Sequence, residues 1–282
     1  MSFAGCIRSF SDHVRESRVA SREPTTFELH RSFWIAMRIP ATRDSRLVTS
    51  MRIAIVGNGR MGKAVAALAS QRGHTIHTVV GSSENVSGRA LTRERLAGTD
   101  VAIEFTRPEA AVANLERLIE LGIPTVIGTT GWTGALPRIT ALVEARRGAL
   151  LHAANFSAGV HLFLRTAREL ARRFNGHPEF VASIREEHHA AKIDAPSGTA
   201  LLLQRQLGDL DASRSFPIAS VRSGTLPGTH TLTYDGPHET VSLSHVARDR
   251  EAFAAGALRA AEWLPGKIGV FTFEHLLFGE DA

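Results

Sequence analysis

Residues 52–62 constrain the fold more than any other stretch. Arg52-Ile53-Ala54-Ile55-Val56 is a short β-branched run, and Gly57-Asn58-Gly59-Arg60-Met61-Gly62 follows without a gap. Val65, Leu68 and Ala69 continue at helical spacing. A GxGxxG pattern alone is a weak signal, but strand, glycine turn and helix in that order open a βαβ unit. Gly57 permits the tight turn, Gly59 lets the backbone approach a pyrophosphate, and Gly62 lets helix and strand pack closely, with the phosphates at the helix N-terminus. Asn58, Arg60 and Met61 complete the loop as candidate nucleotide contacts.

A second strand over 75–80 runs into Gly81-Ser82-Ser83, where a site for NAD would carry an acid to grip the adenine ribose. Without that carboxylate nothing repels a 2'-phosphate. The expected cofactor is NADPH or NADH, with NADPH favoured; Ser82 lies at the ribose end and Arg60 can supply charge. Buried-type runs at 101–105, 124–128 and 150–153 continue the alternation, and Thr106-Arg107-Pro108-Glu109 reads as a helix start with Pro in its first turn. Open α/β sheets bind ligands at the carboxyl ends of their strands, so Phe105, Thr106, Gly128 and Thr130 are candidate cofactor residues.

Asn155-Phe156-Ser157-Ala158-Gly159 leads into a helix through Val160, Leu164, Ala167 and Leu170, and beyond it the pattern changes. Residues 179–187, 217–222, 230–234 and 240–247 alternate apolar with polar, with turns at Pro227-Gly228 and Asp235-Gly236-Pro237 and a helix over 199–207. Residues 248–264 read as a last amphipathic helix and 269–273 as a strand-like run. The expected fold class is α/β: a Rossmann-like doubly wound parallel sheet in 51–157, plus a second α+β domain with a mostly antiparallel sheet in 158–253.

The chemistry concentrates in Glu186-Glu187-His188-His189-Ala190-Ala191-Lys192-Ile193-Asp194-Ala195-Pro196-Ser197-Gly198-Thr199. The Gly198 and Thr199 amides fall in or near the first turn of the following helix, where free N–H groups and the positive dipole end favour a carboxylate or phosphate. Ser197 lies beside them, and Lys192 adds a full positive charge. His188 or His189 can exchange a proton near neutral pH, since an ordinary imidazole titrates at about 6.5. The block reads as an anion site with a proton donor.

Composition excludes several alternatives. The net charge of +5 is uneven, because residues 1–50 hold eight Arg against five acidic residues. No Lys/Arg run with interleaved aromatics supports a nucleic-acid partner, and no apolar run reaches the length of a membrane span. A single cysteine, Cys6, rules out an intrachain disulfide framework and fits a cytoplasmic protein. Residues 1–50 lack a sustained period and read as a disordered extension or an over-called start, with Met51 opening the folded part. No metal-ligand spacing stands out.

Six motifs together resemble one family: GNGRMG at 57–62, EFTRP at 104–108, GTTGW at 128–132, NFSAGV at 155–160, EEHHAAKIDAPSGTA at 186–200 and SGTLPGTH at 223–230. The chain is similar, from Met51 to about Phe278, to the dihydrodipicolinate reductases, strictly 4-hydroxy-tetrahydrodipicolinate reductases, of bacterial lysine and diaminopimelate synthesis. The histidine-lysine-DAPSGT block is the specific part. The resemblance implies that His188 is the general acid and Lys192 the cationic partner. It makes His189 a substrate contact, Gly198 and Thr199 the amides that hold a substrate carboxylate, and Asn155, Phe156 and Ser157 cofactor or interdomain residues beside Phe105, Thr106, Gly128 and Thr130. It implies a small dicarboxylate substrate, a homotetramer built through the second sheet, a segment 254–282 that returns to the first domain, and hinges near 157–159 and 250–255.

The chain departs from the family pattern at Ala190 and Ala191, where Arg and His are common, at the missing ribose acid, in a glycine loop one residue shorter, and at His161 in place of a frequent Asn. Two rival readings use the same residues: a Rossmann reductase of another small carboxylate, and a catalytically inactive nucleotide-binding sensor.

Overall fold

The computed structural model describes residues 50–279. Cys6 and the reading of 1–49 as an extension lie outside the described residues. Five strands alternate with helices in the first part of the chain: β1 (Arg52–Val56), β2 (Thr75–Val80), β3 (Val101–Glu104), β4 (Thr125–Ile127) and β5 (Ala149–His152). The intervening helices are α1 (Arg60–Gln71), α2 (Pro108–Glu120) and α3 (Leu136–Arg146). The second part holds α4 (Ala158–Phe174), β6 (Val181–His188), α5 (Gly198–Leu210), β7 (Ile218–Arg222), β8 (Gly228–Asp235) and β9 (Thr240–Ala247). It closes with α6 (Glu251–Trp263), β10 (Gly269–Thr272) and α7 (Phe273–Phe278).

Strands β10-β5-β4-β3-β1-β2 form a six-stranded sheet in that order, and every pairing in it is parallel. All of β3 and β4 is buried, as expected of parallel strands covered on both faces. The glycine turn is built as its sequence requires. Gly57 has φ +109°, and a Cβ there would lie 2.1 Å from the Phe105 carbonyl oxygen, a conformation and a contact that only glycine tolerates. At Gly62 a Cβ would stand 1.9 Å from the Gly57 oxygen, whereas at Gly59 it would meet nothing within 4 Å.

The end of the chain returns to this sheet. Ala254, Ala257, Leu258, Ala261 and Phe273 share one buried core with Ile53, Ile55, Val65, Ile103 and Val126. The strand expected over 269–273 stops at Thr272, because Thr272 and His275 form a capping box that starts α7 at Phe273.

The second sheet runs β7-β6-β8-β9, with β6 and β7 parallel and the other pairings antiparallel. One face packs on α4 and α5 through Phe163, Leu164, Ala182, Ile184, Leu203, Leu232 and Tyr234. The opposite face leaves Val181 and Val246 exposed, and there Thr231 pairs with Ser244 and Thr233 with Ser242 through hydroxyl contacts of 3.0 and 3.2 Å.

Candidate active site

A cleft of about 1330 Å³ runs between the two sheets. His152, Asn155, His161 and Thr272 line it from the first-sheet side, and His188, His189, Lys192, Ser197, Gly198, Thr199 and His230 from the other, with Arg248–Arg250 and Phe253 along the connection.

On β6, Glu186 and His188 are two residues apart and so face the same way. Glu186 is fully buried, and His188 Nδ1 lies 2.5 Å from its Oε2. Arg222 stands opposite His188 on β7 and donates to both oxygens, Nη2 to Oε1 at 2.7 Å and Nη1 to Oε2 at 3.0 Å. The Ser197 amide donates to the same Oε1 at 3.3 Å. Burial pushes the Glu186 carboxyl up, but the bonds from Arg222, Ser220 and His188 together outweigh it and bring its pKa down to about 2. It is a fixed negative charge behind the imidazole.

His188 is only partly exposed. Burial lowers its pKa, Glu186 opposes that, and Lys192 and Arg222 add to the lowering. Its Nε2 side is kept clear by a glycine: a Cβ at Gly228 would stand 3.1 Å from that nitrogen. The buried His230 packs edge-on, ring centroids 5.3 Å apart, and its Nε2 lies 2.9 Å from the Ser197 hydroxyl. Glu186, His188 and His230 offer ligand-type atoms within 4.8 Å of one another. Both oxygens of Glu186 already accept from Arg222, which puts a guanidinium where a metal would bind the carboxylate.

The anion side is equally specific. Ser197 caps α5, its hydroxyl accepting from the Ala200 amide at 3.2 Å, so Gly198 and Thr199 open the helix at the cleft wall. The Ser197 hydroxyl also lies 2.9 Å from His230 Nε2, and the residue lines the cleft beside Gly198. Lys192 Nζ reaches the Asp194 carboxylate at 2.7 and 2.9 Å. His189 is exposed at the rim.

The candidate cofactor residues gather along the carboxyl edge of the first sheet. Gly57 donates its amide to the Val80 carbonyl at 2.8 Å, the Asn58 amide covers Gly81, and Gly59 and Arg60 begin α1. The open space over Gly59 fits the close backbone approach that a dinucleotide pyrophosphate needs. Met61 packs on the core. Phe105 lies so close to Gly128 that a Cβ there would sit 2.0 Å from its ring. Thr130 is exposed. Phe156 is buried, edge-on to Phe105 and Phe273, while Asn155 faces the cleft. Beyond β2, Gly81 and Ser82 precede Glu84, the first acid of that loop. Glu84 accepts from the Gly81 amide at 3.0 Å and from Arg95 at 2.9 and 3.0 Å. Those bonds, Arg95 first, hold its pKa down at about 2.

Sequence reasoning missed Glu186, Arg222 and His230 as parts of the site. Glu186 and His188 carried a usable signal, since residues i and i+2 of an alternating strand share a face. Arg222 carried none, because its pairing depends on which strand lies beside β6.

The family profile for the dihydrodipicolinate reductase N-terminus matches residues 51–156, and that for its C-terminus matches residues 159–277. The chain belongs to the dihydrodipicolinate reductase family. It is an oxidoreductase of that family. Among relatives, the 4-hydroxy-tetrahydrodipicolinate reductase of Christiangramia forsetii is 34% identical over 238 residues, 80% of this chain and 98% of the relative. That of Thiobacillus denitrificans is 35% identical over 266 residues, 81% and 98% of the two chains. The dipicolinate-bound dihydrodipicolinate reductase of a Paenisporosarcina species shares the fold at a TM-score of 0.65 and 21% identity, covering 82% of this chain and all of that one.

Proposed function

We propose that the chain reduces the cyclic dicarboxylate 4-hydroxy-tetrahydrodipicolinate to tetrahydrodipicolinate, in lysine and diaminopimelate synthesis, with His188 as general acid and Lys192 as cationic partner. The observation that carries this reading is the orientation of His188: its Nδ1 is held by a buried carboxylate, leaving Nε2 toward a cleft that also receives the start of α5 and Lys192. The 4-hydroxyl leaves as water to give a conjugated cyclic imine, and NADPH or NADH would supply the hydride that this imine accepts.

The protein's residues divide the remaining work. The Gly198 and Thr199 amides and Lys192 hold one carboxylate of the substrate through charge-assisted hydrogen bonds, with Lys192 shared between that group and Asp194. His189 contacts the substrate from the rim. Lowered by burial, His188 is short of its proton near neutral pH in the empty cleft. A doubly negative ring entering beside it favours the imidazolium. Substrate binding thus loads the acid, Glu186 stabilises the charged ring through Nδ1, and Nε2 gives its proton to the carbon made electron-rich by hydride transfer.

Gly57, Asn58, Gly59, Arg60, Met61 and Gly62 form the pyrophosphate seat, with Ser82, Phe105, Thr106, Gly128, Thr130 and Asn155 along the same edge and Phe156 supporting it from the core. NADPH is the preferred cofactor, because Glu84 is turned back onto Arg95 and no free carboxylate faces the ribose end. Residues 51–157 serve as the nucleotide domain, 158–253 as the substrate domain and 254–282 as the returning segment. The exposed face of the second sheet, with Val181 and Val246, supports a homotetramer. No helix among the described residues is long and apolar enough to cross a membrane, which agrees with a cytoplasmic place of work.

The test is a coupled assay that generates substrate from pyruvate and aspartate semialdehyde, run separately with each reduced cofactor. Substrate-dependent oxidation, faster with NADPH, is expected; oxidation with neither cofactor would refute the proposal.

A further inference from the structure

Glu104 ends β3, a strand that is otherwise apolar, and its side chain is completely buried. A buried carboxylate is costly unless hydrogen bonds satisfy it: burial raises the Glu104 pKa, bonds from Thr106, Thr129 and Asn114 oppose that rise, and these donors come from two loops and a helix. Thr106, in the loop after β3, donates its hydroxyl to Oε1. Thr129, in the loop after β4, donates its hydroxyl to Oε2 at 2.5 Å. Asn114 on α2 donates its amide to Oε1 at 3.1 Å and accepts at 2.7 Å from Asn85, in the segment after β2. The Thr129 oxygen also accepts the Thr106 backbone amide at 2.7 Å, locking the two loops directly. The turn after β1 joins from above, since a Cβ at Gly57 would press on the Phe105 carbonyl and stand 3.2 Å from Thr106 Cγ2.

We propose that Glu104 is a positioning residue for the nucleotide seat: one carboxylate, taking the Thr106 and Thr129 hydroxyls and the Asn114 amide, sets the spacing of the loops along the carboxyl edge of the first sheet. This rests on reading that edge as the cofactor site. The chemistry needs an acid rather than an amide. Two hydroxyls and an amide N–H all donate inward, so the acceptor must offer both of its oxygens. Glutamine offers one oxygen and one N–H group, and would force a hydroxyl to turn and lose its partner. Both hydroxyl protons are spent on Glu104 and the Thr106 amide on Thr129, so the two loops hold each other. The carboxylate lies beneath the cofactor edge, and none of its partners lines the cleft that takes the dicarboxylate. Its influence falls on nucleotide affinity and not on proton transfer.

The test uses the full-length protein and the variants Glu104→Gln, Thr129→Val and Thr129→Ser, with NADPH affinity read by fluorescence titration beside steady-state kinetics and thermal melting. Glu104→Gln and Thr129→Val are expected to weaken NADPH binding about 10-fold, the scale of one lost charge-assisted bond. Thr129→Ser, which keeps the hydroxyl, should bind like the wild type. KM for the dicarboxylate and kcat at saturating NADPH should move far less than the NADPH affinity. The double variant should lose less than the product of the single losses, because both act on one network. Thr129→Val carries the test alone if Glu104→Gln does not fold. Unchanged NADPH affinity in the folded variants overturns the proposal, as does a uniform fall of kcat, both KM values and melting temperature. Wild-type protein that binds NADPH without reducing the dicarboxylate defeats the functional reading and leaves the titration to judge this one; wild-type protein that binds no nucleotide defeats both.

Discussion

Arg222 and Glu186 sit on neighbouring parallel strands, 36 residues apart in the chain, and meet through two hydrogen bonds at the back of His188. The guanidinium keeps the buried carboxylate ionised, and the ionised carboxylate keeps the imidazole oriented. A third bond, from Arg222 to the Asp194 carbonyl at 2.6 Å, ties the same guanidinium to the loop that carries Lys192. Acid and cation are thus set from one point.

Replacing Glu186 with Gln removes the charge that favours the imidazolium and offers Nδ1 an N–H group as readily as an oxygen. We expect kcat/KM to fall by roughly 10- to 10²-fold, below the full contribution of a positioned acid. The alkaline limb of its pH profile should move to lower pH, because the largest influence that raises the His188 pKa is gone. Steady-state rates across pH check this; an unshifted limb would contradict the role of Glu186.

Removing Arg222 instead leaves Glu186 buried without its partner. Arg222→Met should destabilise the fold, because the buried Glu186 loses its main partner, and Arg222→Met/Glu186→Gln together should recover part of it. Urea unfolding of the two variants measures the coupling.

His230 gives the fold an acid-sensitive element. Burial, with a smaller push from His188, depresses its pKa to about 4. An unfolded histidine takes its proton near 6.5, so over that interval the unfolded state binds more protons. The stabilisation is complete above about 6.5 and is lost as pH falls toward 4, reaching roughly 3 kcal/mol once the folded residue is also protonated. Melting temperatures between pH 7 and 4 should show this fall. His230→Gln, which keeps a partner for Ser197 and cannot titrate in this range, should flatten it.

Cofactor choice is expected to depend on Arg95. Arg95→Gln releases Glu84 beside the end of β2, where a free carboxylate repels a 2'-phosphate. The ratio of NADPH to NADH affinity should drop about 3- to 5-fold, the modest effect of a solvent-screened charge. Titration with both nucleotides checks it, and an unchanged ratio would count against this corner as the selector.

Local constraints were legible in the sequence and distant ones were not. Gly57 and Gly62 announced a strand-turn-helix because no other residue fits those contacts, and Pro196-Ser197-Gly198-Thr199 before an apolar run announced a helix start, though not its Ser197 cap. The change from βα alternation to period two marked the second sheet correctly. Glu104 escaped notice because a carboxylate ending an apolar strand looks like a loop residue until Thr129 and Asn114 are brought to it. Ser197 reads as a ligand contact and lines the cleft; the sharing of its hydroxyl with the cap and with His230, 33 residues away, was not legible. Phe156 likewise read as a cofactor neighbour, while the return of α6 and α7 to the first sheet buries its ring.

The most direct test of the central claim compares His188→Gln with the wild type in two measurements: turnover in the coupled assay, and binding of dipicolinate by calorimetry in the presence of NADPH. Turnover should fall by roughly 10²- to 10⁴-fold, the usual contribution of a positioned acid, while dipicolinate affinity stays within a few-fold of the wild type because Lys192, Gly198 and Thr199 remain. Near-normal turnover in His188→Gln would contradict the account.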